Sequence, residues 1–407
     1  MTHDGVDSTY AWTRLVLTLI LSAIGGIGMW SVVVALPAVQ TDFGVSRADA
    51  SLSYALTMIG FGVGGIILGR LSDRFGILPP VVIGILCLTL GYAAAASAST
   101  LWQYSLAHGL LIGFGSSATF APLLAETSHW FSRRRGIAVA IIASGNYLAG
   151  TVWPPLVQHF IETSGWRQTF VGISILCVAT MLPLVFALRR RAPTDHDVDI
   201  AITRDLAKHS RPLGLPPPAL QNMLIVAGVC CCVAMSMPQV HLVAYCGDLG
   251  YGPARGAQML SLLLGCGIIS RLTFGWISDH IGGLRTLLIG SSMQCLALLL
   301  FLPFDGLISL YVIAALFGLF QGGIVPSYAI IIREYFPSKE AGARIGIVIT
   351  ATLMGMALGG WMSGVIFDLT GSYRMAFLNG IAWNVVNMAI ALMLLGRSRK
   401  WGIAVAA

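Results

Sequence analysis

Charge is what this chain has least of. Only 10% of its 407 residues are Asp, Glu, Lys or Arg, against about 25% in an ordinary soluble domain, and 56% are hydrophobic. A water-soluble globule is excluded. No nucleotide-binding loop of the G-x-x-x-x-G-K type is present, which excludes an ATP-driven pump within the chain. Of eight cysteines none forms a C-x-x-C, and no His or Cys pair has metal-ligand spacing, so neither a metal nor a cofactor is expected. Those cysteines fall in or at the ends of apolar runs and read as buried thiols. A large soluble domain and a catalytic cluster are both missing, which argues against an enzyme.

What is present is a succession of apolar runs, each of about twenty residues, the length that crosses a hydrocarbon core of about 30 Å. Twelve are expected, at 15 to 38, 51 to 69, 79 to 98, 101 to 125, 136 to 159 and 168 to 188, then 220 to 246, 256 to 276, 284 to 303, 307 to 332, 342 to 366 and 374 to 396. The first run, after Arg14, is too long for a signal-peptide core and reads as a retained helix. The fold class is an all-α membrane protein of twelve transmembrane helices in two pseudo-symmetric bundles. Residues 1 to 188 form one bundle and 220 to 407 the other, and 189 to 219 form a linker. That linker begins RRRAPTDHD and ends RPLGLPPP, with a short amphipathic helix expected around 200 to 209.

The 24 Lys and Arg residues set the orientation. Nineteen fall at the termini and in the even-numbered connections, and four (Arg47, Arg167, Arg255 and Arg374) in the others. Both termini are therefore expected on the cytoplasmic side of a cell membrane. The net charge of +7 is this bias seen as a sum and needs no nucleic-acid partner.

The two halves repeat a short signature between their second and third helices. It reads GRLSDRFG at Gly69 to Gly76 and GWISDHIG at Gly275 to Gly282, 206 residues apart. Such a repeat implies internal duplication. In that loop G-x-x-x-D-R-x-G resembles the signature of the Major Facilitator Superfamily, a likeness that extends over essentially the whole chain. Asp73 and Arg74 match its charged pair, whereas the second copy has Asp279 followed by His280. The expected role is a state-dependent latch: Gly69 and Gly275 allow close helix approach, and the aspartates meet arginines such as Arg133 to Arg135, with Arg134 central. For Asp279 the alternative is that it only fixes topology.

One arginine, Arg271, is left well inside a span. An arginine there costs about 2.5 to 3.5 kcal/mol or more, so it faces a cavity or a partner. Gly267 and Gly275 share its helical face, and no Asp or Glu lies within a span to neutralise it, Glu126 being near the end of helix 4. A substrate carboxylate is the expected partner, and snorkelling toward the surface the alternative. The spacing R-x-x-x-G-x-x-x-D over Arg271, Gly275 and Asp279 is similar to the monocarboxylate porter and oxalate/formate antiporter-like branch. That resemblance implies that this arginine binds a carboxylate. Oxalate carriers of that branch add a lysine in helix 11. Here helix 11 reads IVITATLMGMALGGWMSG, which favours a singly charged anion.

His241, with Tyr245 one turn further on, is the second candidate, as proton carrier, substrate hydrogen-bonding group or structural histidine. Asn146, Gln321 and Tyr328 are further polar groups near mid-span, each equally open to substrate contact or to packing. The function expected is secondary transport of a small carboxylate with protons. Anion exchange and, more remotely, multidrug export are alternatives. A monomer in the lipid bilayer is the expected working unit.

Overall fold

A computed structural model describes residues 7–131, 134–190 and 212–400, all in helices and short connections. Arg133 and the helix expected at 200 to 209 lie outside the described residues. The helices are α1 Thr9–Phe43, α2 Arg47–Phe75, α3 Leu78–Ala96 and α4 Leu101–His129, followed by one stretch, Ile137–Phe186, of 50 residues. Gly165, at φ 80°, breaks that stretch, so it holds two crossings, α5 (137–164) and α6 (166–186). The rest are α7 Pro217–Asp248, α8 Pro253–Ile281, α9 Gly283–Leu300, α10 Leu307–Tyr335, α11 Glu340–Thr370 and α12 Tyr373–Ser398. Twelve spans result.

Most helices outrun the apolar stretches that announce them, because charged residues at their ends continue the backbone hydrogen bonding beyond the hydrocarbon. α1 starts at Thr9, where Ser8 accepts the Ala11 N–H as N-cap, so Arg14 lies inside the helix. Counted from sequence among the terminal charges, Arg14 is in fact 2% exposed. Four spans are interrupted. α1 breaks at Gly26, α4 at residues 118–120 after a π-helical stretch Ala107–Gly113, α5 at Ser144, and α10 at Gly322 and Gly323.

Contacts divide the chain into two compact units, Met1–Thr194 with Gln239–Gly265, and Asp195–Pro238 with Cys266–Ala407. The division runs through α7 and α8. In the first unit the core is aromatic: Tyr92 and Trp166 both meet Phe170 edge-on, at 5.3 and 5.7 Å, and Tyr104 stacks on it at 6.0 Å. In the second unit Phe301 stacks on Phe377 at 4.7 Å. Large apolar side chains are also turned outward, among them Leu110 at 69% and Ile308 at 81% exposure, as lipid-facing helices require. All eight cysteines are free thiols, five buried and three half-buried.

The duplicated octapeptides end alike. Gly76 and Gly282 close α2 and α8 at φ 84° and 82°, a conformation that L residues with side chains resist. The glycine-rich run before the first octapeptide serves packing: a methyl on Gly64 would stand 2.8 Å from the Phe114 carbonyl oxygen and 3.0 Å from its Cα, so α2 and α4 touch backbone to backbone.

Candidate functional site

Arg271 sits in the second unit on α8, half-buried. Its level is set by the joint in α10. A methyl on Gly322 would lie 3.0 Å from the Arg271 backbone nitrogen and 2.5 Å from the Gly267 carbonyl oxygen, so only glycine admits this crossing. Gln321, fully buried, immediately precedes the joint. The structure thus brings the turn of α8 that carries Arg271 against the break in α10 that follows Gln321. Irregular backbone at membrane depth is tolerated where it is buried in protein or lines a cavity.

Tyr328, a turn beyond that joint, has another commitment. It is fully buried and its hydroxyl donates to Asn387 Oδ1 at 2.9 Å. Asn387 donates in turn to Ser291 Oγ at 2.7 Å, and Asn384 to the Ser291 carbonyl at 2.8 Å. This network ties α9, α10 and α12 together and leaves Tyr328 a packing role. A sequence cannot show which face of α10 a tyrosine takes.

In the first unit His241 is fully buried on α7, one turn beyond Pro238, and Tyr245 is half-buried one turn further. α8 closes on them tightly, since a methyl on Gly256 would meet Val243 Cα at 2.5 Å. Beyond them the end of α7 is fixed by charge. Arg47 of α2 grips Asp248 with two nitrogens, at 3.0 and 3.3 Å, and donates its Nε–H to Gln40 at 2.6 Å. Asn146 of α5 receives the Trp30 indole N–H on its backbone carbonyl at 3.1 Å, and its side-chain oxygen is buried without a hydrogen-bond partner. α1 and α5 therefore hold Asn146 by its backbone and leave its side-chain acceptor unused.

The expected latch residues are exposed. Asp73, Arg74 and Asp279 lie at the surface, Arg74 over the Phe75 ring at 5.2 Å and Arg134 over Trp12 at 6.0 Å. Nothing lies within 4 Å of a methyl placed on Gly69 or Gly275. His280 turns back on its own helix, its Nδ1 2.8 Å from the Trp276 carbonyl oxygen.

The sequence reading missed one charged cluster. Arg14 and Glu126, 112 residues apart, form a buried ion pair at 2.5 Å. Arg14 directly precedes the first apolar run and Glu126 directly follows the fourth, so an up-and-down chain puts both on one side, which is the signal that could have paired them.

The sequence profile of the Major Facilitator Superfamily matches residues 18–308 and 259–405. The chain belongs to that superfamily and is a multi-pass membrane transporter. Among its relatives is monocarboxylate transporter 13 of Rattus norvegicus, 28% identical over 85% of this chain and 78% of that one. Monocarboxylate transporter 11 of Homo sapiens is 28% identical over 91% and 80%, and the uncharacterised MFS-type transporter YcxA of Bacillus subtilis 25% identical over 81% and 82%. In fold the chain is similar to a bacterial homolog of the human lysosomal transporter Spinster, in an inward-facing and unoccupied conformation. That likeness has a TM-score of 0.76 at 12% identity and covers 98% of this chain and 100% of that one.

Proposed function

We propose that the protein carries small monocarboxylates, or other singly charged organic anions, together with protons. The observation that carries this reading is Arg271, a guanidinium half-buried in α8 beside the broken backbone of α10. A planar fork of donors at that depth suits bidentate binding of a carboxylate. Relatives named monocarboxylate transporters, at 28% identity over most of the chain, point to the same substrate class. His241 is the proposed proton carrier, an imidazole being able to change charge near neutral pH. Asn146, Gln321 and Tyr245 supply hydrogen bonds to the anion. Residues 1 to 188 and 220 to 407 act as two bundles working by alternating access, with Gly69, Asp73, Arg74 and Arg134 latching one copy and Gly275 with Asp279 the other. The excess of cations in the terminal and even-numbered connections supports a plasma-membrane orientation with both termini cytoplasmic.

The test is uptake of labelled monocarboxylates, dicarboxylates and a lipophilic cation into proteoliposomes, with and without an inward proton gradient. Wild type is expected to take up monocarboxylate with gradient stimulation. Arg271→Gln should lose about 30- to 4,000-fold in kcat/KM, equivalent to about 2 to 5 kcal/mol for truncating one side of a buried charge pair. Uptake driven only by anion preloaded inside, with no gradient effect, would make the protein an exchanger. Normal transport by Arg271→Gln would remove the arginine from the site.

A further inference from the structure

Among the described residues Glu126 is the only carboxylate in the buried set, and nothing in the reading of Arg271 uses it. Its surroundings are specific. Arg14 reaches it with two nitrogens, Nη2 at 2.5 Å from Oε1 and Nε at 3.4 Å from Oε2. Trp130 donates its indole N–H to Oε1 at 2.9 Å, and its ring lies 4.7 Å from the guanidinium carbon of Arg14. Arg14 Nη1 is buried with no hydrogen-bond partner. The guanidinium therefore depends on this one carboxylate for neutralisation.

The pair joins two segments that are both jointed at their far ends. The first part of α1, Thr9–Gly25, stops at the Gly26 bend, and the last part of α4, Ala121–His129, begins after the turn at 118–120. These joints touch, since a methyl on Gly25 would collide with the Thr119 side chain. Two short rods thus meet at their hinges and are clipped together again by Arg14 and Glu126. As a permanent staple such a clip is poor, because desolvating two charges costs about what their attraction returns. As a switch it is well suited, because it vanishes when the carboxylate takes a proton.

We propose that Glu126 is a second proton-exchanging residue and that its protonation releases the clamp between these segments of α1 and α4. A proton from water adds to a carboxylate oxygen. Glu126 becomes neutral and Arg14 is left a buried cation without a counter-charge, which drives its segment toward water or an anion. The nearest other acid is Asp7, half-buried, whose backbone N–H donates to the Trp130 carbonyl at 3.0 Å, and Arg190 lies exposed over the Tyr10 ring at 5.2 Å. Arg70, Asp73 and Arg74 at the end of α2, His129 on α4 and Arg134 before α5 are all exposed. Tyr10 packs on the Trp130 ring at 5.4 Å, and residues 137 to 143 of α5 are apolar. The use of this clamp in transport rests on the proton-coupled reading, but the clamp itself can be tested without substrate.

The experiment is hydrogen–deuterium exchange of the full chain in lipid nanodiscs at two pH values, corrected for intrinsic exchange rates. In wild type, exchange over residues 9–25 and 121–129 should rise together at the lower pH, on the order of tenfold, an ordinary size for linked equilibria. Glu126→Gln should show the raised exchange at both pH values, and Glu126→Asp should keep the dependence. If Glu126→Gln proves unstable, the double variant Arg14→Gln with Glu126→Gln lacks both charges and gives the same readout. Segments insensitive to pH in wild type, or still sensitive in the Gln variants, overturn the proposal. In proteoliposomes Glu126→Gln should keep anion exchange and lose gradient stimulation. Loss of both would mark a structural pair. If wild type moves no anion at all, the Arg271 reading falls, while the exchange measurement still decides the clamp.

Discussion

The helix ending in GRLSDRFG and the helix ending in GWISDHIG finish with the same backbone, Gly76 at φ 84° and Gly282 at φ 82°, yet their middles differ. Arg271 has Gly65 as its counterpart 206 residues earlier, so only one copy carries a charge at that depth. Acids near the ends of α4 and α10 diverge too. Glu126 meets the guanidinium of Arg14, whereas Glu334, 208 residues on, accepts the Gly283 N–H at 2.9 Å and so caps the start of α9. An acceptor at a helix N-terminus satisfies an orphan donor and complements the dipole, and it holds the second signature loop in place. Duplication has kept the backbone devices, which cannot vary without breaking the fold, and let the charged side chains of the two copies take separate tasks.

The sharpest way to break this comparison is to remove one charge of the buried pair. Arg14→Leu strands Glu126 in a site where it is 9% exposed, and a lost partner there costs about 3 to 5 kcal/mol. Thermal unfolding of the detergent-solubilised protein should show a large fall in Tm, partly recovered when Glu126→Gln is added. Glu334→Gln in the other copy removes only a charge-assisted cap and should cost about 1 kcal/mol. Equal losses for the two acids would mean that they have not diverged.

A smaller contrast uses the glycines. Gly64→Ala drives a methyl to 3.0 Å from the Phe114 Cα, a backbone atom that cannot swing aside, and should cost about 1 to 3 kcal/mol in the same unfolding measurement. Gly69→Ala and Gly275→Ala meet open space and should leave stability within about 0.5 kcal/mol. If these two glycines serve a contact made in another state of the cycle, their alanine variants will transport more slowly at unchanged Tm.

Hydropathy located all the crossings, and the octapeptide repeat disclosed the duplication, because lipid length and tight turns act on contiguous residues. What acts between distant residues was harder to see. Arg14 reads as a terminal charge until Glu126 is brought to it from α4. Gly69 and Gly275 read as sites of close approach, yet in this structure they are open, and Gly60 and Gly64 a little earlier in α2 make the backbone contacts. The joints in α4 and α10 left signs only in part. GLFQGG contains the α10 break, but nothing in the α4 sequence announces its π-helical turn.

Tyr328 shows what one-dimensional reading leaves open and how a small effect can decide it. Its hydroxyl is one of few polar groups in mid-α10, and by sequence it is as good a substrate ligand as Gln321. In the fold it belongs to the chain of donors Tyr328 to Asn387 to Ser291 that holds three helices of the second unit. Tyr328→Phe leaves Asn387 Oδ1 without its donor. Interhelical hydrogen bonds in membranes are worth about 0.6 kcal/mol on average and up to about 1.7, so a modest fall in Tm is expected. KM for the transported anion should not change, since the ring stays in place and the lost hydroxyl faces α12. A raised KM at unaltered Tm would mean that the hydroxyl leaves Asn387 during the cycle and meets the substrate, and the two readings of Tyr328 would then belong to different states of the carrier.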